Sequence, residues 1–318
     1  MSIVVTGSIA FDHIMDFPGH FKDHILPEKV HMLNVSFLVN SLKKLRGGCA
    51  CNIAYNLSLI GEHSAIMGTA GTDFGPYKEW LESYGIDTRA IEIVEDEYTA
   101  TCFVTTDLSD NQITGFYPGA MQYAHILNFK DLKHKDIKLA VISPNDPLAM
   151  CKYVRQCKEL KIPYIYDPAH QIPRLSKEEL LEGIDGAKCT ILNDYEMQMI
   201  LNKTGISEEE VPDLTDVLII TKGAEGSVIK DKTRSVDIPS AKANEVLDPT
   251  GAGDAYRAGI VKGLLNGYSY EYMGRLASVV AVYAVEKHGT TEHYFKKEEF
   301  EKRFCENFPE YKKELSLT

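Results

Sequence analysis

The heptapeptide Asp248-Pro249-Thr250-Gly251-Ala252-Gly253-Asp254 sets small residues and a carboxylate at the head of an apolar-periodic segment. Ala252, Ala255, Tyr256, Gly259, Ile260, Gly263 and Leu264 recur at helical spacing, so a helix begins about where the glycines end. Gly251 and Gly253 let a ligand come close to the backbone, and the unpaired N–H groups of a first helical turn suit an anion. Asp254 would add a second negative charge beside that anion, which makes chemical sense if it removes a proton. An acceptor hydroxyl on Asp254, and a phosphoryl group on the amides of Gly251, Ala252 and Gly253, outline a site for phosphoryl transfer. A glycine turn that merely opens a helix is the plainer reading of Gly-Ala-Gly-Asp taken alone.

Four further clusters put polar groups beside turns. Asp12 follows the first apolar strand, where ligands of open α/β sheets bind, and a carboxylate there can accept hydrogen bonds from two vicinal hydroxyls, as on a ribose. No G-x-G-x-x-G follows Gly7, which argues against a dinucleotide fold. In Gly47-Gly48-Cys49-Ala50-Cys51-Asn52 the glycines permit close approach, and Asn52 offers an amide to a hydroxyl. In Asn193-Asp194-Tyr195-Glu196, Glu196 is a hard oxygen donor suited to Mg2+, acting through water. Thr221-Lys222-Gly223-Ala224-Glu225-Gly226 makes a glycine turn after a strand, and the chain contains no G-x-x-x-x-G-K-[ST].

The full heptapeptide resembles the C-terminal signature of the ribokinase-like (PfkB) carbohydrate and nucleoside kinases. The other clusters follow in that family's order along nearly the whole chain. The resemblance implies ATP as phosphate donor, Asp254 as the base and Asp12 as the partner of a sugar diol. It gives Gly47, Gly48 and Asn52 to the sugar, and Asn193 and Glu196 to Mg2+ and phosphate. Thr221, Gly223 and Gly226 would lie beside the nucleotide. The segment 278–285 would wall the adenine, and Asp248 and Thr250, with residues 284–290, would bind a monovalent cation such as K+.

Positioning these groups calls for a layered α/β fold. Short β-rich runs at 3–6, 139–142, 164–166, 190–192 and 217–221 alternate with amphipathic stretches such as 147–160 and 177–181. That alternation predicts a largely parallel sheet covered on both faces, within one principal domain spanning 1–318. Two segments break it. Residues 30–39 alternate apolar positions at Leu33, Val35, Phe37 and Val39. Residues 99–106 and 112–117 flank the turn-rich Asp107-Leu108-Ser109-Asp110-Asn111. Both are expected in a small antiparallel sheet. By resemblance, lid segments at approximately 13–40 and 98–118 would close over the acceptor and expel water.

Composition narrows the partners. With 34 Lys+Arg against 46 Asp+Glu the net charge is −12, which argues against sequence-independent nucleic-acid binding. The seven cysteines are scattered and odd in number, as in a reducing cytoplasm. No basic leader precedes the first strand, and no apolar run approaches the ~20 residues needed to span a bilayer. The expected activity is ATP-dependent phosphorylation of a nucleoside's primary hydroxyl, adenosine first. The aromatic rings Phe103 and Phe116 would offer faces to the base. A free-sugar kinase of the ribokinase or fructokinase type and a non-catalytic ligand-binding member of the fold are the alternatives. Either a monomer or a homodimer is compatible with the sequence.

Overall fold

In the computed structural model, residues 2–25, 31–32, 34–132 and 136–315 are described. Nine strands form the large sheet: β1 (Ser2–Thr6), β4 (Ser64–Gly71), β5 (Asp87–Val94), β8 (Ile137–Ile142), β9 (Tyr164–Tyr166), β10 (Cys189–Asn193), β11 (Leu218–Thr221), β12 (Ser227–Lys230) and β13 (Ser235–Ile238). Their spatial order is β13-β12-β11-β10-β9-β8-β1-β4-β5. From β5 to β11 all neighbours are parallel, and β12 and β13 join antiparallel at one end.

Side chains alternate between the faces of this sheet, and both faces are dry. Ile3, Val5, Val141, Ile165, Ile191 and Ile219 pack beneath α1 (Cys49–Leu59), α7 (Ala252–Asn266) and α8 (Tyr270–Val285). Val4, Ala140, Ile142, Leu192, Leu218 and Ile220 pack beneath α3 (Pro147–Leu160), α4 (Lys177–Ile184) and α5 (Asp194–Thr204). A sheet buried on both sides explains why its strands read as continuous apolar runs. Helices α7 and α8 touch closely because Gly259 has no side chain: a Cβ there would lie 2.3 Å from the Cα of Ala277.

The small sheet is separate, with order β3-β2-β6-β7. Its strands are β2 (Ala10–Asp16), β3 (Ser41–Gly47), β6 (Ala100–Thr106) and β7 (Gln112–Tyr117). The hairpin expected at 99–117 is present, and the Asp107 carboxylate knits its loop by accepting from the amides of Ser109 and Asn111. The strand expected at 30–39 is not. Val30 and Leu33 lie outside the described residues, and 34–39 has no strand. Phe37 instead packs on Phe17 and Phe21, with ring centroids 4.9 Å from each, and pairing passes to Ser41–Gly47. The sheet also begins earlier than expected, because Asp12 lies within the lid strand β2 rather than just beyond β1.

Candidate active site

The carboxyl ends of parallel strands share one edge, and the sequence clusters gather there. Gly7 follows β1, Asn193 ends β10, Thr221 ends β11, and α7 starts close by. Gly251 caps α7 at φ 82°, a left-handed conformation suited to glycine, and a Cβ on it would sit 2.9 Å from Thr290 Cβ. The Ala252 amide is already turned to the Pro249 carbonyl at 3.3 Å, so the free end of the turn is centred nearer Gly253.

Asp254, in the first turn of α7, accepts a hydrogen bond of 2.8 Å from Asn52 Nδ2. Burial pushes its carboxyl upward, against the lowering pull of Arg257 and of the Asn52 bond. Asn52 is buried in the first turn of α1. Its Oδ1 lies 2.8 Å from the Thr290 hydroxyl, and its carbonyl accepts from Asn56 Nδ2 at 2.9 Å. Asn52 thus holds Asp254 in place and keeps one amide hydrogen for an acceptor. The start of α1 lacks a side-chain cap of its own at Gly48, and Ser8 Oγ accepts the Cys49 amide instead at 3.0 Å.

Asp12 faces this site from the lid. Gly47 leaves room for it, since a Cβ there would meet Asp12 Oδ2 at 2.3 Å. Gly48 is closed against protein backbone, with a Cβ position 2.5 Å from the Ser8 carbonyl oxygen. The two glycines therefore serve the packing of lid strand on body. Burial, then the charges of Asp248 and Asp254, push the Asp12 carboxyl up to about 6. The lid acid Asp12 thus feels the charges of a loop acid and a helix acid.

The aromatic candidates divide between two faces. Asp12 pairs with Cys102, and Cys102 with Phe116, so these three share a face. Phe103 pairs with His13 across the other face, edge-on at 5.0 Å between ring centroids. Phe103 therefore does not share a face with Asp12 and Phe116, because adjacent strand residues point to opposite sides.

At the end of β10, Asn193 and Glu196 form a reciprocal cap on α5: Asn193 Oδ1 accepts from the Glu196 amide at 2.7 Å, and Glu196 Oε2 from the Asn193 amide at 2.8 Å. Glu196 Oε1 has no such duty. Gly223, at φ 56°, has open space where a Cβ would stand, whereas at Gly226 a Cβ would meet the Ile238 carbonyl oxygen at 2.0 Å. Gly223 is open to a ligand and Gly226 is packed. Thr221 Oγ1 lies 3.4 Å from the Leu192 carbonyl. Asp248 accepts from the amides of Thr250 and Gly289, each at 2.9 Å. Burial would raise its carboxyl, but hydrogen bonds from Thr250 and Gly289 prevail and hold it low. The Val285 carbonyl already takes the amides of Leu247 and Asp248.

Sequence reasoning missed one pair. Arg257, one turn beyond Asp254, donates from Nη2 to Asp167 Oδ1 at 2.6 Å and pairs through Nε with Oδ2. Asp167 follows β9 and is wholly buried, and burial lifts it to about 7 against the pull of Arg257. The two residues stand 90 positions apart, so no local spacing announces them.

An acid on a lid strand, and a carboxylate in the first turn of a glycine-capped helix, are found together with a family match over residues 2–297. The chain belongs to the pfkB family of carbohydrate kinases. This kinase is 31% identical to the nucleoside kinase of Methanocaldococcus jannaschii over 289 residues, 90% of this chain and 91% of that protein. Its fold matches the nucleoside kinase of Burkholderia thailandensis in complex with inosine with a TM-score of 0.87, at 36% identity over 97% of this chain and 98% of the other. The same Burkholderia enzyme in complex with ADP-inosine matches with a TM-score of 0.85, at 37% identity over 97% and 96%. The kinase has the ribokinase-like α/β fold, with a small sheet set apart as a lid. Among its described residues, no helix is long and apolar enough to cross a membrane.

Proposed function

We propose that this kinase transfers the γ-phosphoryl of ATP to the primary hydroxyl of a nucleoside, with adenosine as the preferred acceptor, in one catalytic domain spanning 1–318. The observation that carries the reading is the juxtaposition of Asp12 on the lid with Asp254 on α7, with Phe116 on the Asp12 face. Asp12 accepts hydrogen bonds from the 2′- and 3′-hydroxyls, which directs the 5′-hydroxyl toward Asp254. Phe116 supplies an apolar face for the base, a feature that a free sugar does not need. The inosine and ADP-inosine complexes of the Burkholderia relative support a nucleoside acceptor and an adenine nucleotide donor.

In this mechanism Asp254 takes the hydroxyl proton as the oxygen attacks phosphorus in line. The amides of Gly251, Ala252 and Gly253, Gly253 foremost, meet the charge on the moving phosphoryl at the positive end of α7. Gly223 leaves room for the nucleotide beside Thr221, with Gly226 keeping the turn closed behind it. Among the described residues no cluster of three or more acids, His or Cys forms a metal cage. Glu196 Oε1 and Asn193 fit Mg2+ held mainly by phosphates and water, where it would offset phosphate charge. The low-lying carboxylate of Asp248, beside Thr250, fits a monovalent cation such as K+. Seven free thiols support a reducing, cytoplasmic setting, and the product would return a purine nucleoside to the nucleotide pool.

The test is competition among adenosine, inosine and ribose at equal concentration with limiting ATP and Mg2+. Adenosine 5′-monophosphate should dominate. Predominant inosine phosphorylation would remove the adenosine preference, and predominant ribose phosphorylation would sink the nucleoside reading.

A further inference from the structure

Arg257 is an unusual use of a buried charge. Its side chain is 11% exposed, and its partner Asp167, just past the carboxyl end of β9, is 1% exposed. Burying an ion pair costs more solvation than the pairing usually returns, so such a pair is weak evidence of a stabilising role. Its geometry is specific, however. Nη2 donates to Asp167 Oδ1 and Nε sits in charge contact with Oδ2, though without hydrogen-bond geometry, so both nitrogens of that edge face Asp167 and orient the guanidinium. Nη1 makes no hydrogen bond to protein among the described residues. It lies against the Gly253 backbone, where a Cβ would come within 2.5 Å of it. The free edge of the guanidinium is thus at the open end of the α7 turn.

The charges around it are Asp254 on its own helix, Asp167 and His170 after β9, and Glu196 at the start of α5. A triphosphate entering there meets Asp254 and Glu196, which repel it. Arg257 is the cation that offsets them.

We propose that the Arg257 guanidinium is a catalytic group that grips the γ-phosphoryl beside the Gly253 amide, and that Asp167 is the positioning residue that aims it. The proposal rests on the kinase reading above. In the step, the acceptor oxygen forms a bond to the γ-phosphorus. The bond from that phosphorus to the β–γ bridging oxygen breaks, and its electron pair leaves on ADP. The hydroxyl proton passes to Asp254, and Arg257 keeps its own protons while donating to the equatorial oxygens. Gly253 is explained by the same geometry: a side chain there would push the guanidinium out of the turn.

The experiment compares Arg257→Gln, Arg257→Ala and Asp167→Asn with the unchanged protein. Removing a donor aimed at a transition-state oxyanion costs about 10²–10³-fold in kcat, and that loss is expected for Arg257→Gln. Acceptor KM and ADP affinity should stay within about threefold, while affinity for ADP with aluminium fluoride falls by a factor similar to kcat. Millimolar guanidinium should restore part of the turnover of Arg257→Ala. Asp167→Asn should lower kcat less than Arg257→Gln does and leave ADP binding intact. The proposal is overturned if folded Arg257→Gln turns over at the normal rate, or if ADP and the fluoride complex lose affinity equally. Should the Gln variant not fold, Arg257→Lys is read by the same affinity ratio. That ratio needs no acceptor, so a wrong acceptor in the function proposed above shows only in the competition assay and leaves this test standing.

Discussion

Asp254 and Asp12 are both partly buried acids, yet their surroundings give them different tasks. Asp254 is held by Asn52, and burial raises its carboxyl against the lowering pull of Arg257 and of the Asn52 bond, a setting that strengthens a carboxylate as a proton acceptor. Replacing it by Asn should lower kcat by about 10²–10⁴-fold, the range for loss of a general base, with ADP binding retained by calorimetry. Near-normal turnover in the folded variant would remove it from the mechanism. In the proposed function Asp12 accepts hydrogen bonds from the acceptor, and it can do so at both oxygens only while ionised. Burial, then Asp248 and Asp254, raise it to about 6, so falling pH protonates it within a mild range. Acceptor KM should therefore rise as the pH drops below about 6, while KM for ATP stays level. Initial rates from pH 5 to 8 would check this, and an acceptor KM independent of pH would take the diol role from Asp12.

The lid shows what a sequence can and cannot disclose at the scale of an element. The hairpin of β6 and β7 was legible because a turn-forming loop separates two β-rich runs, and the structure adds only that Asp107 ties that loop together. The third strand was not. Residues 34–39 alternate in hydrophobicity but spend Phe37 on a ring cluster, whereas Ser41–Gly47 carries Lys43, Lys44 and Arg46 and pairs all the same. Backbone pairing with β2 overrode side-chain pattern. The motifs at 193–196, 221–226 and 248–254 were readable as local strings, while Arg257 with Asp167, and Asn52 with Asp254, are contacts that only the fold creates. The face of each ring was not legible for the same reason. Phe103 and Phe116 look alike in sequence, yet the register sends one toward His13 and the other to the Asp12 side. Phe116→Ala should raise the KM for adenosine about tenfold, of the order expected when one base-stacking ring is lost, and Phe103→Ala should leave it nearly unchanged. Equal effects of the two in steady-state assays would contradict the assigned face.

Across the whole molecule, the C-terminal segment is tied to α7 through a buried histidine. His293 Nε2 bonds Asn56 Oδ1 at 2.8 Å, Asn56 bonds the Asn52 carbonyl, and Asn52 bonds Asp254. The Tyr55 hydroxyl donates to the His293 carbonyl, and His293 Nδ1 is buried with no hydrogen-bond partner among the described residues. Burial lowers the His293 imidazole to about 4, so it is neutral in the folded protein and protonates near its ordinary value once unfolded. Between about pH 6.5 and 4 the unfolded chain thus binds more protons, and folding stability falls as the pH falls through that window. The full span, roughly 2.5 units, is worth about 3 kcal/mol. Asp12 acts with the opposite sign, because its raised carboxyl costs stability when ionised and that cost is relieved on protonation through about 6. The measured slope is therefore shallower than His293 alone would give, and the comparison that isolates it is between the wild type and His293→Gln. Gln keeps a donor for Asn56 but cannot titrate. The variant should lose the part of the acid-side decline in stability that belongs to His293, read from urea midpoints between pH 4 and 7. Parallel curves for the two proteins would show that the imidazole is not the group that couples this region to acid.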